Sequence, residues 1–376
     1  MINHQGVDRM KKAGIITFLH NNNFGSTLQA YALQKSIADI GYDCVHLDYR
    51  PDTKEKILNL LRSGNDLKLV TEGMKKRSVQ TGQAGARMKS ESFDMFYGKH
   101  MKLTSVCRNR TDLKKQSAEM NILVCGSDQI WSPVWLNPAY FLDFAAEGQY
   151  RIAYAASLGV EHLPERRKIR KFRKLLKDFG PVSVREQEGA ALLKEMTGLK
   201  AAVMPDPVCL LTREEWEKIS EAPERKAPYI LCYFIGESEQ YWKQVDELQM
   251  RTGLEVVVLP VTAASYERPY SLADGASPEK FLGYVRDAAY VCTDSFHCAL
   301  FSLIFGKMPR VFRRYREDDP ESKNSRIDHL YRSLAISFDT EEPPASLRSS
   351  LDVLRNKGLT WLRENLEHSG TAGTEG

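Results

Sequence analysis

Several short stretches set residues with usable chemistry directly behind an apolar run. "YVCTDSFHCALFSLIFGKMP" (290–309) places Asp294, Ser295 and His297 at the end of one such run. Asp294 or Ser295 can cap a helix in which Phe296, Leu300 and Leu303 recur at helical spacing and which Gly306 can stop, so the pattern predicts His297 in a first helical turn. An imidazole there, beside a bound phosphate, is a usable general acid. The plainer role is a structural histidine on a packed helix.

Three further stretches have the same form. In "FLHNNNFGSTLQAYALQ" (18–34), Asn23 or Ser26 can cap a helix carrying Leu33, Ile37 and Ile40, and Gly41 can end it. Gly25 permits close backbone approach, and the exposed N–H groups of a helix start attract anions. The asparagines are either ligand-binding amides or simply the turn and its cap. "ILVCGSDQIWSPVW" (122–135) sets Ser127, Asp128, Gln129 and Trp131 at a strand end. A carboxylate, an amide and indoles together suit a carbohydrate-binding edge, and Asp128 is equally a candidate base; the competing role is a cap with core tryptophans. "PVSVREQEG" (181–189) puts Arg185 at a strand tip, suited to bidentate capture of a carboxylate or phosphate, with surface pairing to Glu186 or Glu188 the alternative. Downstream, "RVFRRYREDDPESKNSRIDHL" (310–330) offers a basic flap over an anionic ligand, with Lys323 or Arg326 best placed to reach inward.

The elements that must position these residues alternate along the chain. Ten runs are expected to be strands: residues 14–18, 44–49, 121–125, 151–156, 182–185, 201–204, 229–235, 254–259, 290–293 and 310–312. Several are near-continuous apolar runs with helical segments between them, the pattern of parallel strands covered on both faces. This is an α/β protein of two doubly wound lobes, because "SEAPERKAP" (220–228) interrupts the alternation with prolines and charges and a fresh strand follows it. The expected organisation is an N-terminal lobe over 13–220 with an excursion about 62–92, a linker over 221–228, a C-terminal lobe over 229–335, a helical segment over 336–366 and a disordered tail over 367–376. Ligands of open α/β sheets bind at the carboxyl ends of strands, where all four stretches fall.

Composition narrows the class. The chain has 376 residues with 53 basic and 49 acidic side chains, an excess of +4 that does not argue for a nucleic-acid partner. The seven cysteines are scattered without a CxxC pair, mostly in apolar runs, as in a cytoplasmic protein with reduced thiols. No signal-peptide core, membrane span or metal-ligand motif is visible, so no cofactor and no metal are expected. "PERRKIRKFRKLLKDFG" (164–180) aligns Ile169, Phe172 and Leu176 on one helical face amid basic residues. That is an ordinary solvated helix or a peripheral contact with an anionic membrane, here the inner face.

Taken in order, ITFLHNNNFGSTLQAYALQ, GSDQIW followed by RIAYAASLG, PVSVRE, MPDPV and DSFHCALFSLIFGKMP resemble the polysaccharide pyruvyl transferases, from Ala13 to Leu334. The resemblance implies two Rossmann-like lobes of GT-B-like architecture with the site in the interdomain cleft. It also implies phosphoenolpyruvate as donor and a sugar hydroxyl pair, free or on a lipid-linked glycan, as acceptor in cell-surface glycan biosynthesis. His297 and Arg185 match the family's histidine and its SVR arginine, while the family's later lysine aligns with either Lys323 or Arg326. On that reading His297 is the acid, Asp128 or Asp294 the base, and Arg185, Ser295 and Lys323 or Arg326 hold the donor. Asn23, Gly25, Ser26, Ser127, Gln129 and Trp131 complete the substrate-binding set. A nucleotide-sugar glycosyltransferase and a catalytically silent glycan-binding relative are the alternatives on the same architecture.

Overall fold

The computed structural model describes residues 11–63, 83–224, 228–314 and 325–367. Two all-parallel sheets organise it. The first contains β1 (Lys12–Ile16), β2 (Asp43–His46), β3 (Ile122–Cys125), β4 (Tyr150–Ala156), β5 (Val182–Val184) and β6 (Ala202–Val203) in the order β2-β1-β3-β4-β5-β6. The second contains β7 (Tyr229–Tyr233), β8 (Glu255–Val258), β9 (Ser271–Leu272), β10 (Tyr290–Thr293) and β11 (Arg310–Val311) in the order β11-β10-β7-β8-β9. Strand β9 has no counterpart in the sequence reading: it is a two-residue edge strand, too short and too polar to leave an alternation pattern.

Helices α1 (Phe24–Asp39), α2 (Thr53–Ser63), α3 (Gln83–His100), α4 (Arg110–Gln116), α5 (Arg166–Leu176), α6 (Gln187–Thr197) and α7 (Arg213–Ile219) follow within the first half. In the second half come α8 (Glu239–Thr252), α9 (Ala263–Tyr266), α10 (Pro278–Asp287), α11 (Phe296–Ile304), α12 (Ser325–Ser333) and α13 (Leu347–Glu367). The chain is thus an α/β protein of two Rossmann-like lobes, GT-B-like in plan. Residues 83–92 of the expected excursion are helical and belong to α3, whose Phe93 and Phe96 are fully buried. Residues 64–82, the linker's 225–227, and 368–376 of the expected tail lie outside the described residues.

Two apolar junctions bind the halves. Phe24, at the start of α1, stacks on Phe281 of α10 at 4.5 Å, and both rings are nearly or wholly removed from water. Burial of each such ring stabilises by about 1.5–3 kcal/mol. Helix α13 then returns to the first lobe, where Leu362 and Leu366 join the core of Ala13, Ile15 and Leu33 and Tyr42 donates its hydroxyl proton to the Leu366 carbonyl at 2.8 Å.

Strand order locates the site. In the first sheet the chain leaves β1 toward β2 and then crosses back to β3 on the other side, so the order reverses between β1 and β3. In the second it runs outward from β7 through β8 to β9 and returns to β10 on the opposite flank, reversing between β7 and β10. Diverging connections at such a reversal open a crevice beyond the strand ends. The four expected site stretches belong to the carboxyl ends of β1, β3, β5 and β10, so both reversals contribute.

Candidate active site

The first crevice is built by mutual capping. Asn23 accepts from the Ser26 amide at 3.1 Å and starts α1, while Ser26 donates its hydroxyl proton to Asp128 Oδ2 at 2.5 Å. Asp128, held at φ +68, accepts from the Gln129 amide through Oδ1 at 2.8 Å. The expected ligand Ser127 is fully buried; its amide donates to Gln29 at 3.0 Å and its hydroxyl to the Ala155 carbonyl at 2.6 Å. It therefore shapes the loop and offers no surface to a sugar. Trp131 is likewise wholly buried, stacked on Phe141 at 5.1 Å with its indole N–H donated to the Tyr140 carbonyl. That placement corrects the expectation of a sugar-stacking platform: Phe141 and Phe179 cover the ring that the local sequence left looking exposed.

The second crevice supplies the imidazole. Ser295 caps α11 and accepts from the Cys298 amide at 3.4 Å, so His297 lies in the first turn as expected. Asp294, expected as a possible base, is spent on structure: it accepts from the Ile235 and Gly236 amides, each at 2.7 Å, and from Arg314 Nε at 3.0 Å. Gly236 must lack a side chain, since a Cβ there would stand 2.8 Å from Asp294 Oδ2 and 2.9 Å from Arg314 Cγ.

Asp206 joins the two crevices. It follows β6, caps the turn over Pro207–Leu210 by accepting from the Val208 amide at 3.0 Å, and has no exposed side-chain surface. Its Oδ2 accepts from Arg185 Nη1 at 2.6 Å and faces His297 Nε2 at 3.3 Å. Burial opposes ionisation of Asp206, but the charge and hydrogen bond of His297, then Arg185, outweigh it and hold the carboxyl well below its ordinary range. The opposite edge of the His297 ring lies against Gly25, where a Cβ would fall 2.1 Å from Nδ1. The ring is thus gripped between a glycine and a carboxylate of the other lobe.

Arg185 is 3% exposed, so it does not emerge at an open rim. Its Nε donates to Glu186 at 2.9 Å, and its guanidinium lies over the Phe296 ring at 4.7 Å. Burial works against its charge, but Glu186 and Asp206 prevail and raise its pKa. Glu186 in turn accepts from the Ser157 hydroxyl at 2.8 Å. Arg326, in the first turn of α12, meets Gln129: with the amide turned oxygen-first, Gln129 accepts from Nη1 at 2.7 Å and Nη2 at 3.2 Å. Burial, and then the Arg185 charge, pull Arg326 down to about 10. Lys323 lies outside the described residues.

Arg185 and Arg326 line a cavity of about 150 Å³ that Asp206, Phe296, His329 and Lys357 also border. Among the described residues, two guanidinium nitrogens of this pair, Arg185 Nη2 and Arg326 Nε, are buried without a hydrogen-bond partner. Orphaned buried donors are rare, and these two border one cavity together with Lys357 and the carboxylates of Glu186 and Asp206. Asp206 was given no part in the site by sequence reasoning, and Glu186 appeared there only as a surface partner of Arg185; the "MPDPV" stretch held the one available signal for Asp206, an Asp that caps a turn directly after a short strand. Among the described residues no group of His, Cys, Asp and Glu side chains is placed to hold a metal ion, and no helix is long and apolar enough to cross a membrane. All seven cysteines are free and buried.

Fold and site together define a two-lobed α/β protein with a guanidinium-lined crevice between Rossmann-like halves. The profile of the polysaccharide pyruvyl transferases matches residues 23–314, and the chain belongs to that family of glycan-modifying transferases. Similar solved structures include the UDP-GlcNAc 2-epimerase of Methanocaldococcus jannaschii, 11% identical over 94% of this chain and 100% of that one, with a TM-score of 0.46. The Neisseria meningitidis UDP-GlcNAc 2-epimerase is 9% identical over 94% and 100% with the same score. The glycotransferase of kitacinnamycin is 13% identical over 96% of both chains at 0.42. No curated protein matches the chain significantly.

Proposed function

We propose that the protein transfers the pyruvyl group of phosphoenolpyruvate to two hydroxyls of a sugar, forming a ketal on a cytoplasmic glycan precursor. The observation that carries this reading is the pair of unpartnered guanidinium nitrogens at one cavity beside His297. Phosphoenolpyruvate presents two anionic groups, and Arg185 and Arg326 present two cations able to grip them. Ser295 and the start of α11 add N–H dipoles.

The chemistry then divides among the remaining residues. Protonation of the donor methylene, for which His297 is the acid, leaves an oxocarbenium-like carbon that the first sugar hydroxyl attacks, losing its proton to a base. The C–O bond to phosphate breaks next, phosphate departs with the electron pair, and the second hydroxyl closes the ketal and gives up its own proton. Asp128 is assigned that proton: it accepts from one hydroxyl and one amide, whereas Asp294 is committed to two amides and to Arg314. Asp206, facing Nε2 of His297, orients the imidazole for its role as acid.

Phosphate release from phosphoenolpyruvate by the purified protein tests the proposal. Release is expected only when a glycan acceptor is present, and His297→Ala is expected to abolish it while the protein still folds, as circular dichroism reads. Tight binding of a nucleotide diphosphate with no interaction with phosphoenolpyruvate would replace this reading with sugar transfer, and glycan binding without turnover of any donor would make the chain a silent relative.

A further inference from the structure

We infer that α5 and the loop tips beside it form a docking face for an anionic lipid bilayer. Helix α5 projects Arg166, Arg167, Arg170 and Lys174 into solvent, with Arg173 exposed but tied through Nε to the Met196 carbonyl and Lys177 exposed one residue beyond the helix end. Its hold on the lobe is a narrow stripe: Phe172 and Leu176 are buried, and Ile169 packs partly against the same core. Glu165 and Asp178 are the acidic residues at its two ends, so the cationic field is offset only at its margins. Arg166, Ile169, Arg170 and Arg173 line one shallow depression.

A polyanion in solution would reward that charge alone. What points to a bilayer is apolar surface set beside it: Val134 is 49% exposed, Trp135 43% and Leu163 42%. Lys168 ties these parts together by donating to the Pro133 carbonyl, which fixes the loop bearing Val134 and Trp135 against α5, and Leu163 precedes the helix by three residues. Cations around apolar tips that include an indole match the headgroup layer, where phosphates meet the acyl boundary.

The face also adjoins the crevice. Trp135 lies six residues after Gln129 on the connection from β3, and Leu163 four residues after Gly159 on the connection from β4. Gly159 and Gln129 touch, since a Cβ on Gly159 would stand 2.9 Å from the Gln129 amide carbon. A protein docked through this face presents its candidate site to the membrane surface, where a lipid-carried acceptor would be found.

Flotation of the full chain with phosphatidylcholine vesicles, with and without phosphatidylglycerol, tests the inference and requires no turnover, so its failure leaves the proposed reaction untouched. The protein should float with the anionic vesicles only, less so as salt rises. The combined Arg166→Gln, Arg167→Gln, Arg170→Gln and Lys174→Gln variant should bind at least about a hundredfold more weakly, and Trp135→Ser about tenfold more weakly. The pair Arg167→Gln and Lys174→Gln, both exposed, serves if the fourfold variant does not fold. Equal flotation of the charge variants, or no flotation at all, overturns the proposal. So does full competition by soluble polyphosphate with Trp135→Ser unchanged, which would make the face a polyelectrolyte site.

Discussion

At the reversal between β1 and β3, the polar side chains satisfy one another: Ser26 holds Asp128, Gln29 holds the Ser127 amide, and Ser127 closes onto Ala155. At the reversal between β7 and β10, the network is left open. Asp294 is consumed by Arg314 and two amides, yet His297 finds its carboxylate only across the junction, in Asp206 of the other lobe. The difference makes the imidazole of the second lobe dependent on the first. Lobe packing and alignment of the imidazole become one event, because Gly25 and Asp206 of one half grip the ring supplied by the other.

Asp206→Asn attacks that dependence most directly. It leaves Arg185 buried beside a neutral amide and unseats the tautomer of His297, so turnover should fall by about 10³-fold and stability by about 3–5 kcal/mol. The sign of the pH effect also follows. A carboxyl whose folded pKa is depressed stabilises the fold above its unfolded value and loses that contribution on acidification, so wild-type stability should drop below roughly pH 4 and the variant's should drop less steeply there. Denaturant unfolding from pH 7 to 3, beside steady-state kinetics, checks both. An unchanged turnover number would detach Asp206 from the ring.

Gly25→Ala separates alignment from binding. The added Cβ has 2.1 Å to His297 Nδ1 and must push the ring aside; a displacement of about 1 Å is enough to cost about a hundredfold in turnover. Arg185 and Arg326 lie outside that contact, so the KM for phosphoenolpyruvate should stay near wild type. Full activity in this variant would show that the ring's seat is not the productive one.

Arg326→Gln reverses the pattern. Loss of a charged donor at the cavity should raise the KM for phosphoenolpyruvate by roughly 10- to 100-fold, the worth of a charge-assisted hydrogen bond, with a smaller effect on turnover. Titration of phosphate or phosphoenolpyruvate by calorimetry reads the same loss without an acceptor.

These positions also show what was legible in the sequence. An apolar run ending in Asp-Ser-x-His marks a strand tip and a helix start, and that local physics placed His297, Gly25 and Asp128 correctly at strand ends. Arg185 was legible as a strand-tip cation but not as a buried one, because Asp206 and Glu186 that accept from it come from a separate strand end and from the adjoining helix cap. The cavity was illegible for the same reason: α12 and α13 wall it from more than a hundred residues away. Trp131 shows the converse error, a local pattern overruled by aromatic rings that only the tertiary fold delivers. Residues whose role depends on a partner one helix or strand away were readable; those whose partner arrives through lobe packing were not.

Ser127→Ala gives the smallest effect and the sharpest control. Ser127 stands next to Asp128 in the sequence and was expected to touch substrate, yet its hydroxyl is sealed beneath the loop, donating to the Ala155 carbonyl. The backbone contacts of residue 127, its amide to Gln29 and its carbonyl to the Thr17 hydroxyl, survive the substitution. The cost should therefore be one buried hydrogen bond, about 1 kcal/mol, visible as a lowered unfolding midpoint, with turnover and both KM values unchanged. A loss of acceptor affinity without a loss of stability would mean that the loop opens in solution to expose the hydroxyl, and the closed network described at the β1–β3 reversal would then fail at its most closely packed point.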